Sequence, residues 1–177
     1  MSRLPIVLAC LLFALFAASC GDDEEEAAAP TQETATATPE PEGTVEVAAI
    51  GKDLDKKPKI VKPSGTPPAE LQTTDIVKGK GKAAKTGDTV SVQYVGNSWS
   101  TGTQFDASWD RGQEPFQFPL GAGQVIPGWD EGVAGMKEGG RRLLVIPPDL
   151  AYGDQSPSPD IGPSETLIFV VDLEKIS

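Results

Sequence analysis

The chain contains no histidine. The side chain that most often serves as a general base near neutral pH, and as a metal ligand, is therefore missing. Ser-His and Cys-His hydrolytic sites and imidazole-based metal centres are excluded with it. Cysteine is almost as scarce. Cys10 and Cys20 are the only two, so neither a cysteine zinc site nor a disulfide framework can be built in the rest of the chain. Positive charge is also short: 15 Lys and Arg against 26 Asp and Glu give a net charge of −11 over 177 residues. A nucleic-acid binder would need a basic face, so no nucleic-acid partner is expected. Phosphate loops are lacking too. "GKGKAAK" (79–85) does not have the Gly-x4-Gly-Lys-Ser/Thr spacing and reads as a surface turn, and "GAGQVI" (121–126) lacks the third glycine of a dinucleotide fingerprint.

What is present begins with a targeting segment. "MSRLPIVLACLLFALFAASC" has one Arg, an apolar run from Leu4 to Ala18, and then small residues, the layout of a secretory signal peptide over 1–19. The run is shorter than the roughly 20 residues of a spanning helix; an uncleaved anchor is the alternative. Ala17, Ala18 and Ser19 lead directly into Cys20, which resembles a bacterial lipoprotein signal. By that resemblance Cys20 becomes a lipidated N-terminus and holds the protein extracytoplasmically on a membrane. Simple cleavage and secretion is the other reading. Residues 21–43 carry eight acids, no base and no large apolar residue. Such a segment cannot bury enough surface to offset its ordering entropy, so 20–43 is expected to be a disordered acidic tether. As a flexible coil, about 40 residues span roughly 35 Å. Residues 44–70, including "KKPKIVKPSGTPPAE", are Lys- and Pro-rich and are expected to run as an extended arm along the edge of a domain over 71–177.

That domain reads mostly as strand. "DTVSVQYVG" alternates Val90, Val92 and Tyr94 against Ser91 and Gln93, a half-buried strand. "GRRLLVIPP" sets Leu143 and Val145 on one face and Leu144 and Ile146 on the other; "TLIFVVDLEKI" puts Leu167, Phe169, Val171 and Leu173 on one face. Turn signals at Gly87-Asp88, Gly96-Asn97, Ser100–Gly102 and Gly139-Gly140 separate the runs. One short helix is predicted over Pro127–Gly135, with Asp130 and Glu131 favouring its N-terminus. The expected class is α+β, an antiparallel sheet wrapped on one short helix.

The blocks "VSVQYVG", "FDASWDRGQEPFQF", "LGAGQVIPGWDEGVAGM", "GRRLLVIPPDLAYG" and "TLIFVVDLEKI" occur in this order. Together they closely resemble the FKBP-type peptidyl-prolyl isomerases, the macrolide-binding immunophilins, over about 71–177. The resemblance implies a half-barrel sheet curled round the helix, and an apolar active-site hollow needing no cofactor and no metal. It puts Tyr94, Phe105, Phe116, Val125, Ile126, Trp129, Tyr152, Ile161 and Phe169 at pocket positions, with Trp129 as the floor under a proline ring. Asp106 and Arg111 correspond to a charged rim pair. The Tyr152 hydroxyl and the Ile126 N–H correspond to donors to the substrate carbonyl. The implied partners are proline-containing polypeptides and macrolide inhibitors, and the implied state is monomeric.

Each residue also has a plainer reading. An isolated Trp is more often core than pocket, and Tyr94 is evenly balanced between the two, since its hydroxyl could simply bond Asp106. Phe118 reads as core, Trp99 and Trp109 as surface or flap residues, and Arg141 and Arg142 as solvated strand positions. The Asp106–Arg111 pair is either a surface ion pair of little energetic weight or an organiser of the loop around a buried carboxylate. Two functions stay open: a membrane-tethered prolyl isomerase for exported proteins, and a non-catalytic binding module that keeps the hollow.

Overall fold

The long central strand β2 (Thr89–Ser98) organises the sheet. Five other strands join it: β1 (Gln72–Val77), β3 (Gln104–Ala107), β4 (Phe116–Pro119), β5 (Gly140–Ile146) and β6 (Leu167–Ile176). In this computed structural model, which describes residues 43–177, all pairings are antiparallel and the order is β1-β5-β6-β2-β3. β4 lies on the same edge of β2 as β3: Thr89–Val92 pair with β4, and Val95–Asn97 with β3. The expected signal peptide, Cys20 and all but the last residue of the expected tether lie outside the described residues.

The period-two pattern sets both faces. Val90, Val92, Tyr94, Leu144, Ile146, Leu167, Phe169, Val171 and Leu173 point inward, into one cluster with Phe118, Trp129, Val133 and Met136. The opposite set, Val95, Leu143, Val145, Ile168 and Val170, forms a second cluster on the outer face. The inner face is covered by α2 (Pro127–Val133). Pro127 occupies the first turn, where its missing N–H costs nothing and its fixed φ suits the helix. Gly128 and Gly132, four residues apart, face the sheet. A Cβ on Gly128 would lie 2.3 Å from an Ile146 methyl, and one on Gly132 2.8 Å from Leu144. This close approach seats the helix on β5.

Several expectations need correction. α2 ends at Val133 rather than Gly135, because the next residues leave the helix to pair elsewhere: Gly135 N–H donates to Ala84 O (2.9 Å) and Ala84 N–H to Met136 O (2.8 Å). The arm does not run along the domain edge. It crosses the outer face and contributes a short helix, α1 (Val47–Ile50), with Ile50 and Ile60 buried in the outer cluster. β2 is therefore buried on both faces along most of its length. Trp99, expected at the surface, is buried in the same outer cluster. Arg141, expected in solvent, is 1% exposed. Its guanidinium donates to both Asp172 oxygens (2.5 and 2.6 Å) and to the arm carbonyls of Gly51 (3.1 Å) and Lys56 (3.0 Å). Arg142 is also held, by Asp75 and by the carbonyls of Gly132 and Ala134 at the helix C-terminus, where a cation is favoured.

Candidate active site: an aromatic hollow

Where the start of α2 meets β2, β3, β4 and β6, the inner face is not filled. A hollow of about 220 Å³ remains, lined by Tyr94, Phe105, Asp106, Phe116, Gln124, Val125, Ile126, Trp129, Tyr152 and Phe169. Trp129, 4% exposed, stands at its base. Its ring meets Tyr94 edge-on at 5.1 Å, Phe169 edge-on at 5.2 Å and Phe116 edge-on at 6.1 Å. Phe118 supports it from the core at 5.6 Å. Edge-to-face packing is the favoured arrangement of aromatic quadrupoles, and it holds the indole fixed. Gly96 lies under the rings: a Cβ there would come within 2.7 Å of Phe169 and 2.8 Å of Phe105, so glycine lets those two rings approach.

The loop before the helix supplies the other wall. Val125 and Ile126 reach the hollow because Asp130, in the first turn of α2, accepts N–H bonds from Gly121 (2.8 Å) and Gly123 (3.0 Å). Ile126 is extended (φ −60°, ψ 145°), and its carbonyl accepts the first helical bond from Trp129 N (2.9 Å). Its own N–H has no partner among the described residues. The Tyr152 hydroxyl likewise bonds no group among them, and the residue is 39% exposed. Burial, then the Asp106 charge, raise the Tyr152 phenol above its ordinary value.

At the rim three groups close on one another. The Tyr94 hydroxyl donates to Asp106 Oδ2 (2.5 Å) and accepts from Arg111 Nη2 (2.7 Å), while Arg111 Nη1 pairs with Asp106 Oδ1. Burial first, and then the bond to the Asp106 carboxylate, push the Tyr94 phenol up to about 12; Arg111 pulls the other way. Behind the rim, Ser108 accepts from Tyr94 N–H (2.8 Å) and donates to Gln93 Oε1 (2.5 Å), while Gln93 Nε2 donates to Gln113 O (2.6 Å).

Nine of the residues singled out by sequence line the hollow: Tyr94, Phe105, Asp106, Phe116, Val125, Ile126, Trp129, Tyr152 and Phe169. Arg111 does not; it holds Asp106 and Tyr94 from outside, with its guanidinium carbon 5.6 Å from the Tyr94 ring centre. Ile161 is buried in the inner core cluster, together with Tyr94, Trp129 and Phe169, and is not among the residues lining the hollow. Asp106 is not a buried carboxylate, since its side chain is 39% exposed. It needs no buried counter-charge, and the rim pair is an organiser at the water boundary. Gln124 lines the hollow and was not anticipated, because a lone polar residue between Gly123 and Val125 carries no periodic signal. Asp130 was read only as a helix-start acid, although its spacing of seven and nine residues from Gly123 and Gly121 is that of a loop clamp.

A fixed indole base, aromatic walls and the unengaged donors of Ile126 and Tyr152 define a cup able to seat a small apolar ring and hydrogen-bond an adjacent carbonyl. Comparison with known proteins agrees with that class. The family described as FKBP-type peptidyl-prolyl cis-trans isomerase matches residues 80–174. A protein named FK506-binding protein from Streptomyces anulatus is 60% identical over 119 residues, covering 67% of this chain and 95% of that one. A probable FK506-binding protein from Corynebacterium glutamicum is 48% identical, covering 67% of this chain and 97% of its own. The solved structure of AtFKBP13 superposes with a TM-score of 0.56 at 37% identity, over 62% of this chain and 95% of that one. The chain belongs to the FKBP-type peptidyl-prolyl cis-trans isomerase family.

Proposed function

We propose that the hollow rotates X–Pro bonds of exported polypeptides, and that the domain over 71–177 does so while held to a membrane through lipidated Cys20 and the 20–43 tether. One observation carries the reading of the site: an indole-based hollow with the Ile126 N–H and the Tyr152 hydroxyl left without partners among the described residues. The reaction breaks no σ bond. Its barrier is amide resonance, about 18–20 kcal/mol, and unassisted exchange takes tens to hundreds of seconds. Water favours the planar, dipolar amide over the twisted, less polarised one. Seating the proline ring on Trp129 between Tyr94, Phe116 and Phe169 strips that water away and so favours the twisted form. Donors from Ile126 and Tyr152 hold the carbonyl in register. A turnover of about 10–10³ per second asks for roughly 4–7 kcal/mol, the order one apolar hollow and two hydrogen bonds supply. The hollow is also the place for a macrolide of the kind for which the relatives are named.

The test is proline-peptide isomerisation by residues 43–177, with and without a macrolide. Exchange accelerated about 10³-fold or more and abolished by the macrolide supports the enzyme. Macrolide binding with exchange at the solution rate supports a binding module instead, the reading to which the exposed Phe116 and Tyr152 lend weight. The anchor is tested separately. Cys20→Ser should move the full chain from the membrane fraction to the medium, and retention in the membrane would refute lipidation at Cys20.

A further inference from the structure

We propose that Lys57, on the arm, is a positioning residue for the hollow: acting through Asp110, it holds the 104–116 loop, and with it Asp106, Arg111 and Phe116, at the rim. The inference rests on the isomerase reading of the hollow.

The loop carries four of the rim and wall groups, Phe105, Asp106, Arg111 and Phe116, yet its tip is poorly supported. Gly112 and Gln113 both have positive φ, 79° and 61°, a conformation that non-glycine residues seldom adopt. From the sheet side the tip is held by Gln93, through Gln113 O. From the outer side it is held at Asp110, whose carboxylate accepts from Lys57 Nζ through both oxygens (2.6 and 2.7 Å) and from Gln104 Nε2 (2.8 Å). Lys57 and Gln104, in that order, hold the Asp110 carboxyl below its ordinary value.

Exposed ion pairs usually count for little, partly because two long side chains must be immobilised to make them. Here the backbone beneath one partner is already held by the fold, so only the side chains remain to be ordered. The neighbouring Lys56 carbonyl is bonded by the buried guanidinium of Arg141 (3.0 Å), the Gly51 carbonyl by the same group (3.1 Å), and Ile60 is buried in the outer cluster. The backbone bearing Lys57 is thus fixed on both sides. From Arg141, the arm makes a continuous path over the outer face to Asp110, and Arg111 follows directly in the chain. The arm lies outside residues 80–174, the part matched by the family. Arm lysines such as Lys59 and Lys62 make no ion pair with any described residue, which sets Lys57 apart from a merely solubilising charge.

The experiment uses the chain from Cys20 onward, comparing wild type with Lys57→Ala, Lys57→Arg and Lys59→Ala in peptide isomerisation and amide hydrogen exchange. Lys57→Ala should raise KM and lower kcat/KM about three- to ten-fold, since small misplacements of site groups are costly. Its melting temperature should stay within about 2 °C of wild type, and amides of 106–116 should exchange faster. Lys57→Arg should restore both readouts, and Lys59→Ala should change neither. Wild-type exchange over 106–116 in Lys57→Ala overturns the inference. So does faster exchange without a change in KM, or exchange that rises equally along the whole arm. Should the wild type fail to isomerise proline, the isomerase reading falls and, with it, the positioning role for this reaction; hydrogen exchange still reports whether Lys57 holds the loop.

Discussion

Arg141→Ala should destabilise the protein by roughly 3–5 kcal/mol, the cost of leaving one member of a buried ion pair without its partner. The melting temperature should fall by about 10 °C or more for a domain of this size. Three groups are orphaned at once. Asp172 loses a two-pronged cation, and the Gly51 and Lys56 carbonyls lose their donors. Burial already raises the Asp172 carboxyl above its ordinary value, opposed by Arg141; without the guanidinium it should rise further. The sign follows from that. A carboxyl whose folded pKa is raised favours the fold below its unfolded pKa and loses that contribution as pH rises through the folded one. The Arg141→Ala defect should therefore shrink on acidification towards the carboxylate range and be largest at neutral pH. Arg141→Met with Asp172→Leu should recover the part of the loss due to the unpaired Asp172, since apolar replacements of a buried pair are often neutral, while the Gly51 and Lys56 carbonyls stay without their donors. Denaturant melts of wild type and the two variants decide it; Arg141→Ala within about 1 kcal/mol of wild type would mean that water reaches the pair.

Trp129→Leu should lower kcat/KM for proline isomerisation about 30- to 100-fold, or roughly 2–3 kcal/mol of transition-state stabilisation. Leucine is apolar but gives no flat base, and it leaves the edge contacts of Tyr94, Phe116 and Phe169 without a partner ring. The hollow would then admit water where the amide twists. Phe118→Leu is the control, because Phe118 supports Trp129 at 5.6 Å but does not line the hollow. It should cost stability while keeping most of the activity. A Trp129→Leu protein that is folded and as active as wild type would remove the indole from any account of the chemistry.

Much of this molecule was legible in its residues, for physical reasons that also mark where legibility ended. Alternation assigned the faces of β5 and β6, because side chains in a strand must alternate. The helix announced itself through Pro127 and its early acids. The arm did not, since Ile50 and Ile60 stand alone among lysines and prolines and form no period. A signal was nevertheless available. "LLVI" in β5 and "LIFVV" in β6 are apolar on both faces, and a strand of that kind needs a cover on each side. One short helix can cover one side only, so a second cover had to come from outside the sheet, and the 44–70 segment was the remaining chain. Arg141 was misread because arginine on a strand is ordinarily solvated; its burial depends on Asp172 opposite it in β6 and on two arm carbonyls. Ile161 was placed by the family resemblance alone, since a loop's path is not written in its composition.

Water exclusion as the source of catalysis is tested most directly by the pH dependence of kcat/KM. Proton transfer would impose a pKa on the rate. The chain has no histidine, the Tyr94 phenol stays protonated until about 12, and Tyr152 is likewise raised. Between about pH 5.5 and 9, a window between the ordinary carboxylate and phenol ranges, kcat/KM should be flat. A bell or a slope with a midpoint inside that window would show a proton moving in the rate-determining step and would contradict catalysis by desolvation.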